Sequence, residues 1–175
     1  VTQHAELWQN KWYIVYALVV GMMLYQLIWQ FMQIQKIKSS HKTSKCNGYT
    51  LVHTSGKLTH FSFFNQVFIN ERIAENQDDM HRIVKHEEAH VRQWHSVDVL
   101  LLELLKIVFW FNPFVWLFKP FMLNNHEYLA DRRVVSLGED KTEYLGQIVN
   151  HSLTNYSLSL INNFNYSLTK KRVVM

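Results

Sequence analysis

Within His86-Glu87-Glu88-Ala89-His90 lie the residues whose types and spacing can do chemistry. On a helix, two histidines four residues apart stand about 40° apart on one face, so both imidazoles reach one metal ion, with Glu87 on the flank beside them. Zinc accepts neutral imidazole nitrogens, and the adjacent carboxylate can take a proton from a water that the ion acidifies to a pKa of about 7. His86 and His90 are therefore candidate metal ligands, and Glu87 is the candidate catalytic base of a zinc hydrolase. Glu88 points about 160 to 200° away and shares its side with Lys85 and Arg92, the spacing of a solvated ion-pair face. A chain with ten histidines produces such a motif by chance in roughly 3 of 100 cases, so a third ligand has to be found. On a continuous helix His95 is a poor candidate, because five residues from His90 is about 140° around the wheel.

Two carboxylates further on fit better. In Asn124 to Val135, Glu127 and Asp131 lie about 40° apart and share a face with Leu123, Ala130 and Val134, whereas His126 is turned about 100° off it. A charge on an apolar stripe is prohibitive unless it is paired or coordinates a metal, so this face is where the third ligand is sought. Arg132 and Arg133 project to the other side and do not offer the pairing.

These residues must be positioned by a helical hairpin. Asn76 to Asp79 caps a metal helix running to about His95, and Ser96 or Asp98 can cap a new helix from Val97 to Phe111. Asn112-Pro113 then supplies an N-cap and first-position proline for a return helix ending near Gly138. Straight arms measured from that turn leave His90 and Glu127 about 10 Å out of step at 1.5 Å per residue, so a bend is expected at Ser96 to Asp98, with Pro120 as a second break. The tip, Ile107 to Phe118, is too apolar for water and too short to span a bilayer. It is expected to dip into the membrane interface, a buried core hairpin being the structural alternative. Asp140 to Glu143 starts a helix through about Ser152, and Ser167 can cap a last one from Leu168.

Upstream, Trp12 to Gln35 carries no charge and, as a helix, is about 36 Å long, enough to cross a hydrocarbon core of about 30 Å. Lys36, Lys38, Lys42 and Lys45 follow it, against Lys11 and Glu6 before it, which predicts that the following domain is cytoplasmic. Ser39 to Gly48 reads as a polar linker. Tyr49 to His53 and Leu58 to Phe61 alternate around Thr54-Ser55-Gly56-Lys57 as a short hairpin, with Val67 to Ile69 as a further strand. An edge strand beside the metal helix could hold a peptide by β-addition, although a purely structural sheet explains the pattern equally well.

The 175 residues suffice for one domain with appendages, and the chain is read as a fragment. Cys46 is the single cysteine, which excludes an internal disulfide and a cysteine-ligated zinc site. The net charge of +4 is not interleaved with exposed aromatics along one face, so direct nucleic-acid binding is not expected and membrane lipid is the better partner. Ser39 to Lys42 and Ser167 to Lys170 each match Ser-x-x-Lys, but the Ser-Asp-Asn and Lys-Thr-Gly partners of penicillin-binding enzymes are missing.

With HEEAH, the aromatic hairpin FWFNPFVW and HEYLAD in that order, the chain from about Phe61 resembles the BlaR/MecR-type membrane metallopeptidases, gluzincins that act as β-lactam-responsive signal transducers. The resemblance implies a mainly α fold with a small β-sheet (α+β), a gluzincin-like zinc peptidase domain attached to a transmembrane helix. It implies Zn2+ as cofactor, His86, His90 and Glu127 as ligands, Glu87 as catalytic base and Asp131 as a carboxylate hydrogen-bonded to a ligand histidine. It also implies a bacterial inner-membrane location with a cytoplasmic catalytic domain, cleaving a repressor or itself. The expected organisation is a flank at 1–11, a transmembrane helix at 12–35, a cytoplasmic linker at 36–48 and a peptidase domain at 49–175 with its membrane-dipping hairpin at 97–120. Two alternatives have different chemistry. One is a non-catalytic, zinc-organised signalling or docking module, which would have little use for Glu87. The other is a housekeeping membrane metalloprotease similar to the heat-shock and prenyl-protein-processing enzymes.

Overall fold

The computed structural model describes residues 2–55, 59–70 and 76–154. In chain order these form α1 (Thr2–Ser39), β1 (Lys42–Cys46), β2 (Tyr49–Thr54), β3 (Phe61–Phe63), β4 (Gln66–Asn70), α2 (Gln77–Arg92), α3 (His95–Val108), α4 (Pro113–Ser136) and α5 (Lys141–Thr154). The protein is thus mostly helical with one small sheet. The helix expected from Leu168 with its Ser167 cap, the loop at Asn162 to Asn165 and the turn residues Gly56 and Lys57 lie outside the described residues.

The sheet corrects the sequence reading. Lys42–Cys46, expected as linker, is a strand paired antiparallel with β2 across Asn47-Gly48, from Cys46 opposite Tyr49 to Lys42 opposite His53. Asn-Gly is a strong hairpin signal, and Gly48 has φ +93, a conformation that favours glycine. On its other side β2 runs parallel to β4, while β3 pairs antiparallel with β4, giving the order β1-β2-β4-β3. The expected hairpin of Tyr49–His53 with Leu58–Phe61 includes Leu58, which lies outside the described residues; among those described, β2 has β4 beside it and Phe61 pairs with Phe68 of β4. Burial explains the order. All five residues of β4 are buried, as a central strand requires, whereas the polar residues of β1 are all exposed, as an edge allows.

Val67 and Ile69 of β4 pack with Ile83 of α2, and Tyr49, Leu51, Met80, Val84 and Val91 surround them. This apolar layer fixes α2 against the sheet. Asn76 caps α2 by accepting from the Asp79 amide at 2.7 Å. The helix stops at Arg92 because Trp94 adopts the left-handed region, φ 58 and ψ 28, and α3 starts at once with His95. The bend therefore falls two to three residues before the expected Ser96 to Asp98. Those side chains are engaged elsewhere: Ser96 Oγ accepts from the Phe64 amide at 2.8 Å in the β3–β4 turn, and Asp98 meets His126. Asn112 and Pro113 start α4 as expected, with Asn112 Oδ1 accepting from the Phe114 amide at 3.0 Å. Pro120 does not break α4, which runs through it to Ser136.

Hairpin α3–α4 carries many of the exposed apolar side chains. Leu102 and Ile107 are buried, while many of its large apolar side chains are exposed, Phe114 at 76% and Phe121 at 70%. Three of its charges pair with one another, Glu103 accepting from Lys106 at 2.8 Å and Lys119 at 2.6 Å. Lys106 is buried and lies 4.4 Å over the Trp116 ring. Among the described residues one helix, α1 over Lys11–Ser39, is long and apolar enough to cross a membrane. Tyr16 of α1 donates to the Val108 carbonyl at 2.9 Å, tying the hairpin tip to this helix.

A second apolar cluster, Val134, Tyr144 and Ile148, joins α4 to α5. An ion-pair clamp secures the approach to α5. Glu139 accepts from Lys85 Nζ at 2.6 Å and Arg82 Nε at 2.9 Å, and Arg82 also pairs with Glu143. Hydrogen bonds from Lys85 and then Arg82 hold the Glu139 carboxyl below its ordinary 4.5. Its contribution to stability is therefore complete above the unfolded-chain value and is lost as pH falls through the lower folded value. Glu139→Gln is expected to destabilise the protein by about 1 kcal/mol at pH 7. The difference from the parent should vanish at strongly acidic pH, which denaturant melts of both proteins at the two pH values will check.

Candidate metal centre

Helices α2 and α4 bring three donor groups together. His86 Nε2 lies 3.1 Å from His90 Nε2 and 3.5 Å from Glu127 Oε2, and His90 Nε2 lies 3.7 Å from Glu127 Oε1. One donor atom from each of the three falls within 4.8 Å of the others, and the group is half-buried. The donors suit a metal. Bonds of about 2.0–2.1 Å in a tetrahedron separate neighbouring donors by about 3.3 Å, close to all three distances, and two imidazoles with one carboxylate are a zinc donor set. Helices α2 and α4 pack against each other, and Ala89 on α2 and Ala130 on α4 are almost completely buried.

Each histidine has its outer nitrogen engaged, which aims Nε2 inward. His86 Nδ1 is 2.8 Å from the Tyr144 hydroxyl and 3.2 Å from Asp131 Oδ1, and the same hydroxyl donates to Asp131 at 2.7 Å. His90 Nδ1 is 2.8 Å from His95 Nδ1. Asp131 therefore sits outside the donor triangle, against the back of His86. Glu87 is buried and lines a cavity of about 630 Å³ together with His90 and Glu127. That cavity is walled by Leu27, Ile28 and Phe31 of α1, by β3, and by α3 and α4.

Electrostatics divide the two histidines. Burial disfavours the charge on His86, but hydrogen bonds to Asp131 and then Glu127 outweigh it and raise its pKa to about 9. For His90, burial and then the charge of His86 act together and lower it to about 3. Burial, then His126, lowers His95 to about 4. One proton thus resides at His86 beside the Glu127 and Asp131 carboxylates while His90 stays neutral. A cation held by His86, His90 and Glu127 would have to displace that proton.

Sequence reasoning left out His95, His126, Asp98 and Tyr144 as site residues. His95 and His126 are buried and stack at 3.9 Å with 9° between planes, and His126 Nε2 is 3.0 Å from Asp98 Oδ2. The helical wheel that set His95 aside ends at Arg92, and beyond the left-handed Trp94 the angle no longer applies. His126 is turned from the Glu127 face as expected, yet toward α3 rather than solvent. Tyr144 falls in the helix expected after Asp140 to Glu143, but nothing local links its hydroxyl to His86.

A family model described as BlaR1 peptidase M56 matches residues 62–175. The methicillin resistance mecR1 proteins of Staphylococcus aureus strain Mu50 and of Staphylococcus epidermidis are each 32% identical over 62 residues, 35% of this chain. That segment covers 11% of the length of each of those relatives. The family match takes in β3–β4, the donor helices and the hairpin between them, and the chain belongs to the BlaR1 peptidase M56 family.

Proposed function

We propose that this chain is the catalytic part of a membrane-anchored zinc endopeptidase that cleaves a protein, either a transcriptional repressor or the peptidase itself, in transmembrane signalling. The observation that carries the reading is the donor triangle of His86, His90 and Glu127 with Glu87 in the wall of the same cavity. Zinc bound there supplies Lewis-acid activation of a water and of the scissile carbonyl. His86 and His90 offer their Nε2 atoms, and Glu127 offers its carboxylate. Glu87 accepts the proton released as the water attacks and returns it to the leaving amine. Asp131 and Tyr144 keep His86 oriented from behind. A purely structural metal site has no use for Glu87 in that wall, which favours catalysis over a docking role.

Substrate capture follows from the sheet. β3 is an edge strand, and Phe61, Ser62 and Phe63 line the cavity with Glu87 and His90. An extended segment added beside β3 would place its main chain along the cavity, with β-strand hydrogen bonds giving affinity. The fold proposed is accordingly gluzincin-like, with a peptidase domain beginning near Tyr49. Residues 12–35 are proposed to span the inner membrane, with Lys36, Lys38, Lys42 and Lys45 on the cytoplasmic side. The hairpin at 97–120 is proposed to rest in lipid, since many of its apolar side chains are exposed and Glu103, Lys106 and Lys119 pair with one another.

Three measurements test this reading. Glu87→Gln is expected to retain zinc and lose proteolysis by about 10²- to 10⁴-fold, since it removes a base and no ligand; cleavage at the parent rate would overturn the mechanism. Glu127→Ala is expected to abolish zinc retention through gel filtration, whereas Asp131→Asn should weaken affinity by about 10- to 100-fold in a chelator competition. A reporter fused after Ser40, between α1 and β1, should behave as cytoplasmic, and a periplasmic signal would reverse the topology.

A further inference from the structure

His95 occupies a position that local sequence geometry forbids and that the left-handed turn at Trp94 creates. The turn ends α2 two residues after His90, starts α3 on His95 and brings the two Nδ1 atoms to 2.8 Å. Between two imidazole nitrogens one must donate and the other accept. A histidine that binds a metal through Nε2 carries its proton on Nδ1, so His90 donates and His95 Nδ1 accepts. The proton of neutral His95 then lies on Nε2. That atom is buried and has no hydrogen-bond partner among the described residues. His126 stacks flat on His95 at 3.9 Å, and its own Nε2–H is directed at Asp98 Oδ2, 3.0 Å away. Ring plane and tautomer are thereby both defined.

We propose that His95 is a positioning residue for the metal ligand His90, taking the proton of His90 Nδ1 in a hydrogen bond so that Nε2 faces the ion unprotonated, and that His126, anchored by Asp98, holds the His95 ring in place. The inference rests on the zinc-site reading above. The two ligand histidines are then supported differently: His86 is backed by a carboxylate and a phenol, His90 by a neutral ring that adds no negative charge to a site already holding Glu87 and Glu127. The orphaned Nε2 points to the same conclusion. A buried N–H without an acceptor carries a desolvation penalty, so a ring serving only to fill space is better made of phenylalanine. An imidazole kept there is kept for the nitrogen it uses.

The test is zinc affinity of the full chain in detergent, measured by competition with a chromophoric chelator, together with melting of the zinc-free protein. His95→Phe is expected to melt no lower than the parent yet bind zinc about 10- to 100-fold more weakly. His95→Asn, whose side-chain oxygen can stand where Nδ1 stood, is expected to restore affinity to within about threefold. Parent-like affinity in His95→Phe, or equal loss in His95→Asn, overturns the inference while leaving the zinc site intact. If His95→Phe does not fold, His95→Ala against His95→Asn reads the same difference. A parent protein that holds no zinc overturns the site reading, and this inference falls with it.

Discussion

Three acceptor groups within 3.1 to 3.7 Å of one another, two on α2 and one on α4, set the terms for the rest of the molecule. Such a cluster is repulsive or desolvated unless a proton or a cation is shared among its members. Without a metal the proton sits on His86, next to Glu127 and Asp131, and His90 is driven neutral. A divalent ion meets the same demand with a larger charge and suits the spacing of all three donors. Beside the donors, Ala89 on α2 and Ala130 on α4 are small and almost completely buried, and α2 and α4 pack against each other.

Around that triangle the remaining elements act through its outer nitrogens. Tyr144 reaches from α5 to bridge His86 and Asp131, so α5 is connected to the first donor. Its place is held by the Val134–Tyr144–Ile148 cluster and by the Arg82 and Lys85 contacts to Glu139, which link α2 to the start of α5. The clamp therefore joins the two ends of one circuit, running from α2 through Glu139 to α5 and back through Tyr144 to α2. On the opposite flank, α3 supplies the neutral partner of His90. Asp131 is turned to the back of His86, and Glu139 is taken up by Lys85 and Arg82.

Local periodicity made the centre of this arrangement legible. Two histidines and two carboxylates at spacings of four on regular helices announce shared faces, and Asn76, Asn112 and Pro113 mark the helix starts that the structure bears out. What lay beyond reach depended on reversals of the chain. β1 reads as Lys-Thr-Ser-Lys-Cys, with no apolar alternation because all five residues are exposed, and the Asn47-Gly48 turn was its one available signal. The parallel pairing of β2 with β4 is a tertiary choice made by the burial of β4. His95 was set aside by a wheel that assumed a continuous helix, and the left-handed Trp94 invalidated it. Pro120 marked a plausible break, yet one absent hydrogen bond did not end a helix of this length.

The hairpin explains why the cavity and the apolar helix belong to one device. α3 begins at the metal centre with His95 and ends at Val108, where Tyr16 of α1 caps its carbonyl, and 13 residues of helix separate the two points by about 20 Å. Along α1, from Tyr16 to the cavity-lining Phe31, the distance is about 22 Å. The two helices therefore keep pace, and the hairpin rises alongside α1 from the level of the donor triangle. If α1 spans a bilayer, the exposed aromatics of the tip have no water to face, and the pairing of Glu103 with Lys106 and Lys119 is the arrangement lipid demands. The cavity lies toward the lysine-flanked end of α1, bounded on one side by Leu27, Ile28 and Phe31 of that helix and on the other by the edge strand β3. A shift of α1 relative to the hairpin would alter that wall without displacing any donor, because none of the donors resides on α1.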